Sequence, residues 1–440
     1  MKYPRVLVVA GDRINAADIS NNGLVLRNLF GAWPRENLAQ IFSSGDNSDK
    51  GFLGSYYKLG PRDRRLGYIF YRLKMEVQKG YLPANPLRPA HRKLTVQTTL
   101  GRYWSKRILV DTGLYELIFR PIISRRMMKW VNAFQPEIIL AQGYNLAFTW
   151  LPLMLAEKTR LPIAYYPTDD WPTDLYLNAR TRWRFLTKRI RSLVESSSRQ
   201  LVQASTLRLA FNPYMQEEYN ERYGRFFFAL MHGDALSRFK AAKPHRLTQM
   251  GITSIVCTGV FDTHRMPLLR DLDEACQILA NRGLMICATV LPVNFPLTHP
   301  ASFKHLHFKP CPSHDDLASI LIGADILFLP ERFDETAKDI RLSISSKALL
   351  FMLSGRPIVV YSDPSTGIAH YARQEGWAEV VDRRDPEILA ATIEDLIKNA
   401  GARERLSARA LLIARKYHDL KIIQAQFHEM MSAIAQHPGD

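Results

Sequence analysis

The sequence predicts an α/β chain of doubly wound parallel sheets in two domains, and three observations carry that expectation. Short apolar runs of strand length alternate with helical runs through both halves, the pattern of a parallel sheet covered by helices on both faces. The 440 residues exceed one ordinary domain. Residues 343–363, SISSKALLFMLSGRPIVVYSD, spell out a loop, a helix, a glycine and a strand in one stretch. There Ser345 and Ser346 are N-cap types, Gly355 suits a left-handed helix end, Pro357 blocks continuation, and residues 358–361 read as a buried strand.

The elements follow in order. Residues 5–10, RVLVVA, form a first buried strand, too short for a secretory leader. Asn22 and Gly23 precede the helical run LVLRNLF; glycine lets backbone approach a ligand closely there, and a plain helix start is the alternative. Residues 138–141 and 161–166 are further strands, the second running into PTDDWPTDLY. Ligands of open α/β sheets bind beyond the carboxyl ends of strands. Asp169 and Asp170 sit at such an end, where carboxylates can orient or deprotonate a hydroxyl, and Trp171 offers a flat surface for a sugar. The alternative is an Asp capping the next helix with Trp171 in the core. Residues 201–223 read as an amphipathic helix with Met215, Tyr219 and Tyr223 four apart.

The polar stretch 239–252 reads as the interdomain linker. Beyond it, SIVCTGVFDTHR gives a strand and a glycine turn with Gly259 and Arg265. A helix (268–280), a strand (285–290), a helix start at His314-Asp315-Asp316 and a strand (324–330) come next. Glu331 opens an acidic run, ERFDETAKDI, before the 343–363 unit. Lys347 lies in the first turn of that helix, where the macrodipole disfavours a cation unless an anion is bound in front of it. Residues 386–396, 401–417 and 420–435 show the three-and-four spacing of helices.

The formal charge is +17, a balance that predicts an anionic partner. Residues 61–130 hold sixteen Lys and Arg against four acids, interleaved with Tyr68, Phe70, Tyr71, Tyr81, Tyr103, Trp104, Tyr115 and Phe119. That mixture suits anionic lipid headgroups or, less well, RNA; a solvated basic face is the bland alternative. No nucleic-acid motif accompanies it, so no nucleic-acid partner is expected. Cys257, Cys276, Cys287 and Cys311 lack metal-ligand spacing and read as buried thiols. No stretch reads as a transmembrane span.

Ser346-Lys347 followed by Gly355-Arg356-Pro357, the D-D-W-P turn at 169–172, and residues 314–330 together resemble family 4-type glycosyltransferases of the GT-B fold from bacteria. The resemblance implies two Rossmann-like domains facing across a cleft: residues 1–238 on the acceptor side, linker 239–252, a nucleotide-sugar domain at 253–415, and a last helix at 416–440 packing back on the first domain. It implies transfer of a sugar from a nucleotide-sugar donor to a saccharide or lipid-linked acceptor in cell-surface polysaccharide biosynthesis, at the cytoplasmic face of the membrane. Retaining, metal-independent chemistry without a cofactor belongs to the same implication. Gly259, Arg265, Glu331, Ser345, Ser346 and Lys347 are then donor-binding, Arg265 and Lys347 neutralise the leaving diphosphate, and Asn22, Gly23, Asp169, Asp170 and Trp171 face the acceptor. The sequence departs from the family at its two acidic donor positions, which are Leu342 and Leu350. That departure keeps open a non-catalytic GT-B-like scaffold or a glycan- or membrane-binding subunit.

Overall fold

A computed structural model of the chain describes residues 3–14, 21–44, 52–66, 114–174, 184–293 and 303–436. By internal packing the chain divides into two units, Met1–Leu230 with Gln424–Asp440, and Met231–Ile423.

The first unit carries a seven-stranded parallel sheet in the order β3-β2-β1-β4-β5-β6-β7. Its strands are β1 (Val6–Val9), β2 (Leu38–Phe42), β3 (Ser55–Lys58), β4 (Ile138–Ala141), β5 (Ile163–Tyr165), β6 (Leu207–Ala210) and β7 (Phe228–Ala229). The second unit carries six parallel strands in the order β10-β9-β8-β11-β12-β13. These are β8 (Thr253–Gly259), β9 (Ile286–Pro292), β10 (Leu306–Phe308), β11 (Ile326–Pro330), β12 (Ile358–Tyr361) and β13 (Glu379–Val381). Every residue of β1, β4, β11 and β12 is buried. Strands covered on both faces have no solvent side, so their sequences are unbroken apolar runs. Each sheet reverses its winding once, at β1/β4 and at β8/β11, and such a switch point leaves a crevice at the carboxyl ends of the two strands.

Capping residues define the helix starts. Asn145 accepts from the Phe148 amide at 2.9 Å, and Asn212 accepts from that of Met215 at 2.9 Å, satisfying donors that the first helical turn leaves free. The helix Leu236–Ala241 runs through the stretch expected to begin the linker. The last helix, Leu420–Gln436, sends Phe427 between Phe30 and Trp33, with ring centroids 5.3 and 5.7 Å away. Gln424 Nε2 donates to the Asn28 carbonyl at 2.6 Å beside them.

Candidate functional site

The second unit's switch point assembles the clearest cluster. Gly259 ends β8, and Glu331 directly follows Pro330 at the end of β11. The turn after β8 is shaped by Asp262, whose Oδ1 accepts from the amides of His264 and Arg265 at 3.0 Å each. That turn aims Arg265 at Glu331: Nη2 donates to Oε2 at 2.6 Å and Nε to the same oxygen at 3.2 Å. Lys347 enters from the first turn of the helix Ser346–Leu353, its Nζ 3.7 Å from Glu331 Oε1. Gly259 has φ +137°, and a Cβ there would stand 2.7 Å from Lys347 Cδ and 3.0 Å from Nζ. The glycine is therefore the floor along which the lysine stem lies.

Electrostatics at this cluster are finely opposed. Burial works to raise Glu331, yet the adjacent Arg265 and Lys347 hold it below its ordinary value. Burial pushes Lys347 down, only partly countered by Glu331. Arg265, Lys347, Glu331 and Asp262 together sum to zero formal charge. Among the described residues, neither Lys347 Nζ nor Glu331 Oε1 finds a hydrogen-bond partner, and both are shielded from solvent. A buried donor and a buried acceptor left in this state cost free energy until a ligand or water meets them. Ser345 is the N-cap residue by position, but its side chain caps no amide. Of the two leucines at positions where the resemblance expects acids, Leu342 is buried and Leu350 half-buried.

Of the acidic run after β11, Glu331 alone lies in this cluster. Asp334 instead caps the short 3-10 helix Glu335–Ile340 and pairs with His264 Nδ1 at 2.5 Å. Sequence reading did not find Asp262, although its spacing three residues before Arg265 was a local signal.

The first unit corrects two expectations. Asp170 is 1% exposed. Its Oδ1 accepts from Arg222 Nη1 at 2.6 Å and Tyr219 at 2.9 Å, and its Oδ2 accepts from Arg222 Nη2 at 2.9 Å. A carboxylate clamped this way holds the helix Pro213–Tyr223 and is shut off from solvent, facing inward instead of toward an acceptor. Trp171 is 3% exposed and donates to Tyr165 Oη at 3.1 Å. It packs so closely on Gly143 that a Cβ there would lie 2.7 Å from its Nε1. Trp171 is core, with no face free for a sugar. Asp169 is half-buried at the carboxyl end of β5. Gly23 is the third residue of the helix Asn21–Leu29, with Asn22 before it, which fits a plain helix start.

Most of the basic segment, residues 67–113, lies outside the described residues. Within its described part, Tyr115 and Phe119 are buried, ring on ring at 4.7 Å, so neither can sit at a lipid surface. Arg62 and Arg65 are exposed. No helix among the described residues is long and apolar enough to cross a membrane. No group of three or more His, Cys, Asp or Glu among them could hold a metal ion.

No family model matches the sequence, and no curated protein matches it. Solved structures do match in shape. Anabaena HepE, determined with UDP and glucose, superposes with a TM-score of 0.59 at 12% identity, covering 98% of this chain and 100% of that one. The α,α-trehalose 6-phosphate synthase of Burkholderia multivorans gives 0.59 at 12%, covering 99% and 100%. WaaG, a glycosyltransferase involved in lipopolysaccharide biosynthesis, gives 0.57 at 11%, covering 97% and 99%. At such identities the likeness establishes the fold: this chain has the GT-B fold.

Proposed function

We propose, with the GT-B fold as the premise, that this protein transfers a sugar from a nucleotide-sugar donor to a saccharide or lipid-linked acceptor. The observation that carries the reading is the Arg265–Glu331–Lys347 cluster at the switch point of the second sheet, with its two unmet polar atoms. A donor diphosphate in front of the helix Ser346–Leu353 would meet Lys347 Nζ, the free amides of the first turn and Arg265. A ribose or sugar hydroxyl can donate to Glu331 Oε1. Charge grows on the leaving diphosphate as the glycosidic bond breaks, and cations already held in a water-poor site stabilise it without rearranging. In this reading the two side chains replace a metal, so chelation with EDTA leaves transfer unchanged. Asp169 remains the acceptor-side carboxylate, and retention of configuration is part of the proposal.

HepE was determined with UDP and glucose, which supports a uridine diphosphate sugar as first choice, and WaaG acts in lipopolysaccharide biosynthesis, which supports cell-surface polysaccharide as the setting. The basic residues of 61–130 support work at the inner face of the membrane. A second reading, a non-catalytic GT-B scaffold, is favoured by one observation: Glu331 and Asp262 together already balance Arg265 and Lys347, while Leu342 and Leu350 supply no acid. Thermal-shift measurements across a nucleotide-sugar panel decide between them, since a ligand that binds only the folded state raises its melting temperature. A shift with one nucleotide sugar, lost in Lys347→Ala, supports the transferase. The absence of any shift across the panel sinks it.

A further inference from the structure

The opposite end of the second sheet holds a separate polar cavity of about 560 Å³. It opens at the amino ends of the strands, beside Thr253 at the start of β8 and Ile326 at the start of β11. The seven residues of β8 therefore separate it from Gly259 and the cluster above by roughly 20 Å. Three arginines line it: Arg246, Arg356 and Arg403. Arg246 is committed to the wall. It clamps Asp325 through Nη1 at 2.9 Å and Nη2 at 2.6 Å, and the Ser254 amide donates to the same carboxylate at 2.8 Å. Burial works to raise Asp325, but Arg246 wins and holds it ionised below its ordinary value. The wall's one inward acid is thus already matched.

The remaining cations are not. The Arg356 guanidinium makes no hydrogen bond to any described residue and feels Asp325 only through space. Arg403 spends Nη1 on the carbonyls of Leu396 and Ile397, at 2.5 and 2.6 Å, and its Nη2 and Nε make no hydrogen bond to any described residue. The first turns of the helix Ala400–Tyr417 form the facing wall, bringing Ser407 and the positive end of the helix. Glu404 is the other lining acid, and it is exposed to solvent. Arg246 Nε adds a donor that is buried and unmet. Unmatched forked donors around a cavity of metabolite size fit a phosphate group.

We propose that this cavity binds a small phosphomonoester at a site independent of the donor site. The proposal does not rest on the glycosyltransferase reading. Glucose 6-phosphate, with glucose as the uncharged control, is the probe for isothermal titration calorimetry. Glucose 6-phosphate is expected to bind and glucose not. Arg356→Gln should weaken binding tenfold or more, and Ser407→Glu, which adds a carboxylate to the opposite wall, should weaken it as well. Lys347→Ala should leave it within twofold, because that residue belongs to the other end of the sheet. Unchanged melting temperatures confirm that the variants fold. Equal affinity in wild type and both cavity variants overturns the proposal. So does loss of binding in Lys347→Ala alone, or no heat from glucose 6-phosphate at about 10 mM, weaker than any metabolite affinity of interest.

Discussion

A single methyl group at position 259 would collide with the stem of Lys347, at 2.7 Å from its Cδ. Gly259→Ala therefore tests the donor site without changing any charge. The lysine must leave its groove, and φ +137° penalises the alanine backbone as well. Nucleotide binding measured by calorimetry is expected to fall about as far as in Lys347→Ala. For Lys347→Ala and Arg265→Ala the expected loss is about 1.5–3 kcal/mol, the range for hydrogen bonds to charged groups. Unchanged affinity in both would remove the assignment. Lys347 was legible in the sequence because its signal is local: a misplaced cation next to its own helix cap and C-terminal glycine. Glu331 was named as a donor-side acid, but its pairing with both cations was not legible, since Glu331 and Arg265 are 66 residues apart and no local pattern reports a pair of that span.

At the same scale, His418 predicts a pH dependence. It is 3% exposed, bonded through Nδ1 to the His232 carbonyl at 2.7 Å and through Nε2 to Tyr371 Oη at 2.9 Å. Burial pushes it down to about 4. The folded imidazole thus stays neutral in a range where the unfolded chain already binds a proton. Its stability contribution is whole above the unfolded value of about 6.5. It drains away as pH falls toward about 4, a loss on the order of 3 kcal/mol. Denaturant titrations at several pH values should show His418→Gln with a shallower decline over that interval than the wild-type chain. Parallel declines would exclude His418 as the source.

Among elements, the helix Pro213–Tyr223 is the instructive one. Its amphipathic face was readable from spacing alone, and Met215, Tyr219 and Tyr223 are indeed all buried. Its tether was not. Arg222 grips Asp170 across 52 residues, so the carboxylate that sequence placed before an acceptor belongs to packing. Asp170→Asn is accordingly expected to destabilise the first unit by about 3 kcal/mol, the cost of leaving one partner of a buried pair unmatched. Thermal denaturation measures that cost, and transfer per folded molecule should stay near normal. A stable variant with depressed transfer would return Asp170 to the acceptor side. Trp171 failed for the same reason as Asp170. A residue at a strand's carboxyl end can face outward or inward, and only the neighbouring loop, here Gly143 pressed against the indole, decides which.

For the whole molecule, the sheets were legible because parallel strands covered on both faces leave continuous apolar runs. Docking on an acidic membrane is the prediction at this scale. Arg62 and Arg65 are exposed and Arg64 is half-buried. Charge-driven docking weakens as added salt shortens the Debye length from about 10 Å at 0.1 M to about 3 Å at 1 M. Co-sedimentation with acidic vesicles should be strong at low salt, fall steeply as salt rises, and drop when all three arginines are replaced by Glu. Equal binding to neutral vesicles would end that reading.

The last helix carries a consequence for synthesis. Phe427 closes over Phe30 and Trp33, so the unit that begins at Met1 is completed only by residues translated after all of Met231–Ile423. Its apolar face stays bare while all of Met231–Ile423 is translated, on the order of ten seconds or more at about 5–20 residues per second. A nascent chain stalled before Gln424 would keep the Phe30 and Trp33 rings without their Phe427 cover.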